Sequence, residues 1–336
     1  MVKQADQIKD IIKEIISKKQ VTGGVKSLYF VGCGGSFGAL IPAKIFMERE
    51  STTIRSALIS SNEFVYSTPR DFGASSILCL ACHKGNTPET IAAAKLGQER
   101  GATVLILTWL EQSEILEFGD YIVNYEFDAS PGHLAGGIDY AGEKPMCAVM
   151  IAAEVVNQLE GYAEYDDLQE GLEQMTSIIL DARAKVADRA LAFAEEYKND
   201  NFIYTMGSGA GYGAAYMEST CILMEMQWIN SSAIHTGEFF HGPFEVADTR
   251  CPFIIQINEG STRALDERAL SFLKTYAKRI EVLDAKELGL SAMKATVVDY
   301  FNHSLFTNVY HIYNHALADA RKHPLSVRRY MWNVSY

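Results

Sequence analysis

Residues 27–50 read SLYFVGCGGSFGALIPAKIFMERE. Ser27 to Cys33 is a short apolar run that ends in glycine. A run of this kind is the pattern of a strand buried on both faces, as in a parallel sheet. Gly32, Gly34 and Gly35 make a tight turn, and a helical pattern follows. Strand, glycine turn and helix make the opening unit of an α/β domain. The same order returns half a chain later in FIYTMGSGAGYGAAY, residues 202–216. Between the two, Thr52 to Ile59, Ser76 to Ala81, Thr103 to Thr108 and Tyr121 to Tyr125 read as strands separated by helices. Beyond the second unit, strands are predicted over Phe253 to Ile257 and Ile280 to Leu283. Helices are predicted over Met217 to Trp228, Arg263 to Tyr276 and Val297 to Arg321. Alternation at this spacing predicts α/β architecture, with two doubly wound parallel sheets in one chain. The expected division is an N-terminal helix over 1–25, a first lobe over 26–160, connecting helices over 161–198, and a second lobe over 199–336 that includes the C-terminal tail.

At about 150 residues per domain, 336 residues also imply two domains. The chain is 48% hydrophobic and 21% charged, which supports packed cores and not disorder. Its net charge of −12 argues against a nucleic-acid partner, which would require a basic stripe. A local site for a small anion remains compatible with an acidic surface. The first 20 residues have an amphipathic helical pattern, with Ile11, Ile12, Ile15 and Ile16 on one side, and lack the layout of a signal peptide. No run approaches the about 18 apolar residues of a membrane span. A cytoplasmic location with no membrane partner is therefore expected. The six cysteines lack metal-ligand spacing. Cys79 and Cys82 form a C-x-x-C at the end of an apolar strand with no second pair, so buried thiols are favoured over a redox or zinc site.

Two glycine turns are candidate anion sites, because backbone N–H groups at a helix start attract negative charge. Gly32-Cys33-Gly34-Gly35-Ser36 lacks the third glycine of the dinucleotide fingerprint, having Phe37 there, and lacks the Gly-Lys-Ser/Thr of a P-loop. Alone it reads as a tight turn. The second turn, His83-Lys84-Gly85-Asn86-Thr87-Pro88, strengthens the case, with proline placed where a helix start needs no N–H. Ser36 and Thr87 hydroxyls, together with main-chain amides, suit a phosphate. Lys84 either adds a charged donor or points to solvent. A third turn, Gly207-Ser208-Gly209, either lines a pocket or is a relic of the repeat.

The chemistry is concentrated in residues 218–245. Glu218 and Glu225 lie two turns apart on a helix rich in apolar residues. Positions seven apart differ by about 20° around an α-helix, so the two are expected on one face. A carboxylate among apolar neighbours tends to have a raised pKa or a fixed partner, and either suits proton transfer. His235, Glu238 and His241 follow, ahead of Gly242-Pro243.

Leu223, Glu225, Gly237, Glu238, His241, Gly242 and Pro243 reproduce a pattern that resembles the sugar isomerase (SIS) family. The wording LMEMQW, GEFFHGPFE and HPLSVRRYMW is similar to that family's fructoselysine-6-phosphate deglycases, and the resemblance extends over nearly the whole chain. It implies two flavodoxin-like lobes and a phosphate cradle of the form Ser-x-Ser-Gly-x-Thr. Ser36 and Thr87 match, and Gly35 of the first turn is a further candidate for the phosphate. Cys82 and Lys84 replace its two serines, and His83 takes the intervening position. The resemblance further implies that Glu225 is the base, that His241 is the acid that opens the sugar ring, and that Glu218 lines the sugar pocket. It places the His-Gly-Pro turn in a partner subunit's site, so a homodimer or higher homo-oligomer with shared sites is expected.

His235 has no counterpart in the amidotransferase members; it either contacts the amine or is a satisfied loop histidine. The tail carries Arg328, Arg329 and Tyr330, which either cover the site or are solvated. No lysine follows Lys322 to form a Schiff base, which suits a substrate that brings its own amine. The implied reaction is cleavage of a 6-phosphorylated Amadori compound, fructoselysine 6-phosphate, to glucose 6-phosphate and lysine, with neither metal nor organic cofactor. Deglycases for other amine adducts such as glucoselysine, aminosugar-phosphate isomerases, and non-catalytic phosphosugar sensors are the alternatives.

Overall fold

The structure, a computed structural model, describes residues 3–128 and 138–335. The chain forms two compact units: residues 3–128 with 138–176, and residues 177–335. Helix α6, Tyr165–Tyr197, runs from the first into the second.

The first unit opens with α1, Lys3–Lys19, which buries Ile8, Ile12 and Ile15. Its sheet holds β1 Ser27–Gly32, β2 Arg55–Ser60, β3 Ser76–Ala81, β4 Thr103–Thr108 and β5 Tyr121–Asn124. All pairs are parallel, and the order is β2-β1-β3-β4-β5. This is the flavodoxin-like order, in which the chain reverses direction across the sheet between β1 and β3. Every residue of β1 and β3 is buried, as their continuous apolar runs require. The crossovers use α2 Gly35–Glu50, α3 Ser61–Tyr66 and α4 Pro88–Glu99. The core gathers Tyr29, Val31, Leu78, Leu80, Val104 and Ile106 from the strands with Ile91 and Ala94 of α4. Helix α5, Lys144–Leu159, is buried at every position from Pro145 to Val156. Cys79 and Cys82 are buried free thiols in this unit, and burial pushes the Cys79 thiol well up.

The second unit holds β6 Phe202–Gly207, β7 Asn230–His235, β8 Pro252–Ile257 and β9 Arg279–Asp284, in the order β7-β6-β8-β9. Its strands are again parallel, and the order repeats the first four strands of the other sheet. Strand β7 was not anticipated: NSSAIH is polar and partly exposed, as an edge strand can be. A parallel neighbour for β6 requires a crossover, and α7 Tyr212–Met217 with the segment after it supplies one. Helix α8, Arg263–Tyr276, and α9, Asn302–Arg321, complete the unit.

One expectation is overturned. Glu218–Met226 is a π-helix and not a continuation of α7. Its end shows the wider ladder: Gln227 N–H donates to the Ile222 carbonyl, five residues back, at 2.9 Å. An i→i+5 ladder turns roughly 80° per residue and not 100°, so seven residues leave two side chains about 200° apart. Glu218 and Glu225 therefore do not share a face.

Candidate active site

In open α/β sheets the crevice lies beyond the carboxyl ends of the strands where the order reverses. In the first unit those ends are Gly32 of β1 and Ala81 of β3, and both candidate turns begin there. A Cβ on Gly32 would lie 3.2 Å from the Ala81 carbonyl oxygen and 3.3 Å from Phe37 N, so glycine lets the turn hug the neighbouring strand. Gly35 begins α2, and Ser36 N–H donates to Cys33 O at 3.0 Å. Ser36 is nearly buried, and its Oγ accepts from Lys144 Nζ at 3.0 Å. That lysine, at the start of α5, also lies 5.1 Å over the Tyr125 ring. Sequence reading missed it, because 108 residues separate the pair.

Thr87 occupies the N-cap position of α4, but its hydroxyl does not cap the helix. Gly85 has a left-handed φ of +67°, which shapes the turn between His83 and Thr87. Lys84 is exposed. His83 turns toward an aromatic cluster. Its Nδ1 lies 2.6 Å from the Tyr125 hydroxyl, and its ring stacks on Trp109 at 5.2 Å and meets Phe127 edge-on at 4.6 Å. Burial, then the charges of Lys144 and Lys84, holds its pKa down at about 3, so the ring is neutral near pH 7.

The second unit fills the equivalent crevice with its own side chains. Ser208 is fully buried, and its carbonyl and hydroxyl accept from Asn258 Nδ2 at 2.6 and 3.2 Å. The same Nδ2 reaches Thr262 Oγ1 at 3.0 Å. These bonds tie the turn to the chain segment before α8.

The two carboxylates of the π-helix have opposite surroundings. Glu218 is 3% exposed and accepts from Asn314 Nδ2 of α9 at 2.9 Å. Burial raises its pKa to about 8 against the opposing bond from Asn314, so it is mostly neutral at pH 7. Glu225 lines a cavity of about 580 Å³ together with Trp228, Asn230, Arg328, Arg329 and Tyr330. Burial raises its pKa, while the charge and hydrogen bonds of Arg328 pull it down. Arg328 Nε and Nη2 lie 2.9 and 2.8 Å from Glu225 Oε1. Arg329 lies over Trp228 at 4.3 Å. Of the expected site residues, this cavity brings together Glu225, Arg329 and Tyr330, and its lining does not include Glu218, Ser208, His235 or His241.

His235, at the end of β7, is half-buried, and its Nδ1 accepts from Gly237 N–H at 3.1 Å. Its ring packs near Tyr212 at 5.2 Å, and burial lowers its pKa, with Glu238 opposing. These contacts give it partners within its own unit. His241 is exposed at the tip of the turn that ends in Gly242, whose φ is +130°. Beneath that turn, Phe239, Phe240 and Phe244 pack on Phe272, and Arg268 lies 4.1 Å from the Phe240 ring centre. The exposed histidine is thus displayed on a packed aromatic base.

No protein-family model matches the chain. It is 40% identical over 312 residues to the fructosamine deglycase FrlB of Bacillus subtilis, covering 93% of each chain. It is 26% identical over 275 residues to a fructoselysine 6-phosphate deglycase of Escherichia coli K12, covering 82% of this chain and 77% of that one. A crystal structure of a candidate phosphosugar isomerase from Salmonella typhimurium LT2 superposes over all of both chains with a TM-score of 0.94 and 39% identity.

Proposed function

The chain belongs to the sugar isomerase (SIS) family, among its fructosamine and fructoselysine-6-phosphate deglycases, and on that premise we propose that it cleaves a 6-phosphorylated Amadori compound to glucose 6-phosphate and the free amine. Fructoselysine 6-phosphate is the proposed substrate, and lysine the amine released. In the open-chain substrate C1 carries the amine and C2 the carbonyl. Glu225 removes a proton from C1, and the electron pair forms the C1–C2 double bond while the C2 oxygen gains a proton. Return of the proton to C2, with the nitrogen lone pair forming the C1–N double bond, leaves a protonated imine at C1. Water adds to C1, and the amine departs. One carboxylate serves both carbons, because the proton leaves and returns on the same side.

The observation that carries this reading is the state of Glu225. It is a half-buried carboxylate at a cavity wall, its pKa is raised by burial, and one of its oxygens is held by Arg328. Such a group is a stronger base than a solvated one. Main-chain amides at Gly35 and the hydroxyls of Ser36 and Thr87 take the phosphate in this proposal, with His83 as a neutral neighbour and Lys84 as an added cation. Support comes from their shared location around the strand-order reversal of the first unit, and from a Thr87 hydroxyl not used for capping. His241 acts in ring opening, contributed across a homodimer, which its exposure supports. Arg329 and Tyr330 contact the amine end of the substrate, supported by their place in the cavity wall.

The test is release of glucose 6-phosphate from a panel of purified compounds: fructoselysine 6-phosphate, its unphosphorylated form, glucoselysine 6-phosphate, α-linked fructosyl amino acid 6-phosphates and glucosamine 6-phosphate. Turnover confined to phosphorylated ketoamines supports the proposal. Binding of all phosphosugars with no turnover would make the protein a sensor instead.

A further inference from the structure

After α9 the chain does not simply trail off. Arg328 is a half-buried part of the second unit, with its side chain 9% exposed against 22% for Glu225. Its guanidinium is fixed by its own segment: Nη1 donates to the Leu325 carbonyl at 2.7 Å and the Val327 carbonyl at 2.9 Å. The Arg328 carbonyl accepts from Asn333 Nδ2 at 3.0 Å, and Cζ lies 5.5 Å from the Trp332 ring centre. The cation is therefore oriented by contacts that do not involve Glu225.

The manner of pairing is informative. An arginine fork commonly grips both oxygens of a carboxylate. Here Nε and Nη2 converge on Oε1 alone. Oε2 has no hydrogen-bond partner among the described residues. A base that moves a proton between adjacent carbons needs a fixed carboxylate with one unoccupied oxygen. The geometry points to Arg328 as the positioning residue of the reaction, holding Oε1 so that Oε2 is the atom that takes and returns the proton. This rests on Glu225 being the base.

The charge of Arg328 has a second effect. Besides Glu225, the charged or titratable groups lining the cavity are Arg328, Arg329 and Tyr330. Glu218 projects from the other side of the π-helix and is mostly neutral at pH 7. Arg328 is the cation that opposes the effect of burial on Glu225. Removing it raises the Glu225 pKa, so the acid limb of the rate profile moves to higher pH.

The experiment compares wild type, Arg328→Gln, Arg328→Lys and Glu225→Gln with the phosphorylated ketoamine as substrate. Arg328→Gln is expected to lower kcat more than 10-fold with a smaller change in KM, and to move the acid limb up by about one pH unit. Arg328→Lys keeps the charge but not the fork, so it restores the acid limb while recovering only part of kcat. Added guanidinium at millimolar concentration raises the turnover of Arg328→Gln but not of wild type. If Arg328→Gln keeps the wild-type acid limb and neither lysine nor guanidinium recovers kcat, Arg328 is only a structural clamp. Should Glu225→Gln turn over like wild type, the base assignment itself fails, and that outcome is read separately from the arginine series.

Discussion

Lys144 and Ser36, 108 residues apart, meet at 3.0 Å, with the ammonium donating to the hydroxyl where the first glycine turn becomes a helix. This places a cation against a serine proposed to hold phosphate. A charge-assisted hydrogen bond to phosphate is worth about 1.5–3 kcal/mol. Lys144→Met should therefore raise KM for the phosphorylated substrate at least about 10-fold with kcat within about threefold of wild type. Steady-state kinetics checks this. A change confined to kcat would remove Lys144 from the phosphate site.

Glu225→Gln keeps the shape of the side chain and an acceptor for Arg328 while removing the base. Loss of general-base catalysis typically costs about 10²–10⁴ in rate. We expect kcat to fall within that range, with KM and melting temperature close to wild type, by coupled assay of glucose 6-phosphate and by calorimetry.

Glu218 makes stability depend on pH. Burial holds its folded pKa at about 8, above its ordinary 4.5, so the folded state binds a proton that the unfolded state has released. The sign follows from proton linkage: stability is full below about pH 4.5 and declines as pH rises toward 8. Glu218→Gln mimics the neutral acid and retains an acceptor for Asn314. Its melting temperature should fall less than that of wild type between pH 6 and 8.5 in thermal scans. An identical decline in both proteins would mean that Glu218 is not the titrating group.

Gly85 has both a left-handed φ and no room for a side chain. A Cβ there would sit 2.0 Å from Ser113 Oγ. Gly85→Ala should destabilise the protein by about 1–3 kcal/mol through strain and crowding. It should also raise KM for the phosphorylated substrate, because the turn carries Lys84 and Thr87. Denaturant unfolding and kinetics on the same variant measure the two effects.

The buried strands were legible because burial on both faces writes itself as an unbroken apolar run. Ser76–Ala81 and Thr103–Thr108 match their expected bounds for that reason. Strand β7 was not legible: Asn230 to His235 is an edge, where partial exposure permits serine and asparagine. The π-helix has no local signature either. The stretch ESTCILMEM reads as α-helical, with no residue that marks the wider ladder. Glu225, His241, Ser36 and Thr87 could be singled out from short motifs. Lys144 could not, since it acts through a partner more than 100 residues away. Arg328 was a candidate of the tail, but its pairing with Glu225, 103 residues away, had no local signal.

The wider winding after Met217 puts a mostly neutral acid and an arginine-paired carboxylate only seven positions apart on different faces. Deleting a single residue between Ser219 and Met224 would let the stretch rewind as an ordinary α-helix. The second carboxylate would then swing toward the buried acid and away from its guanidinium. An in-frame deletion of one codon in this stretch should therefore disarm the protein more thoroughly than most single substitutions there.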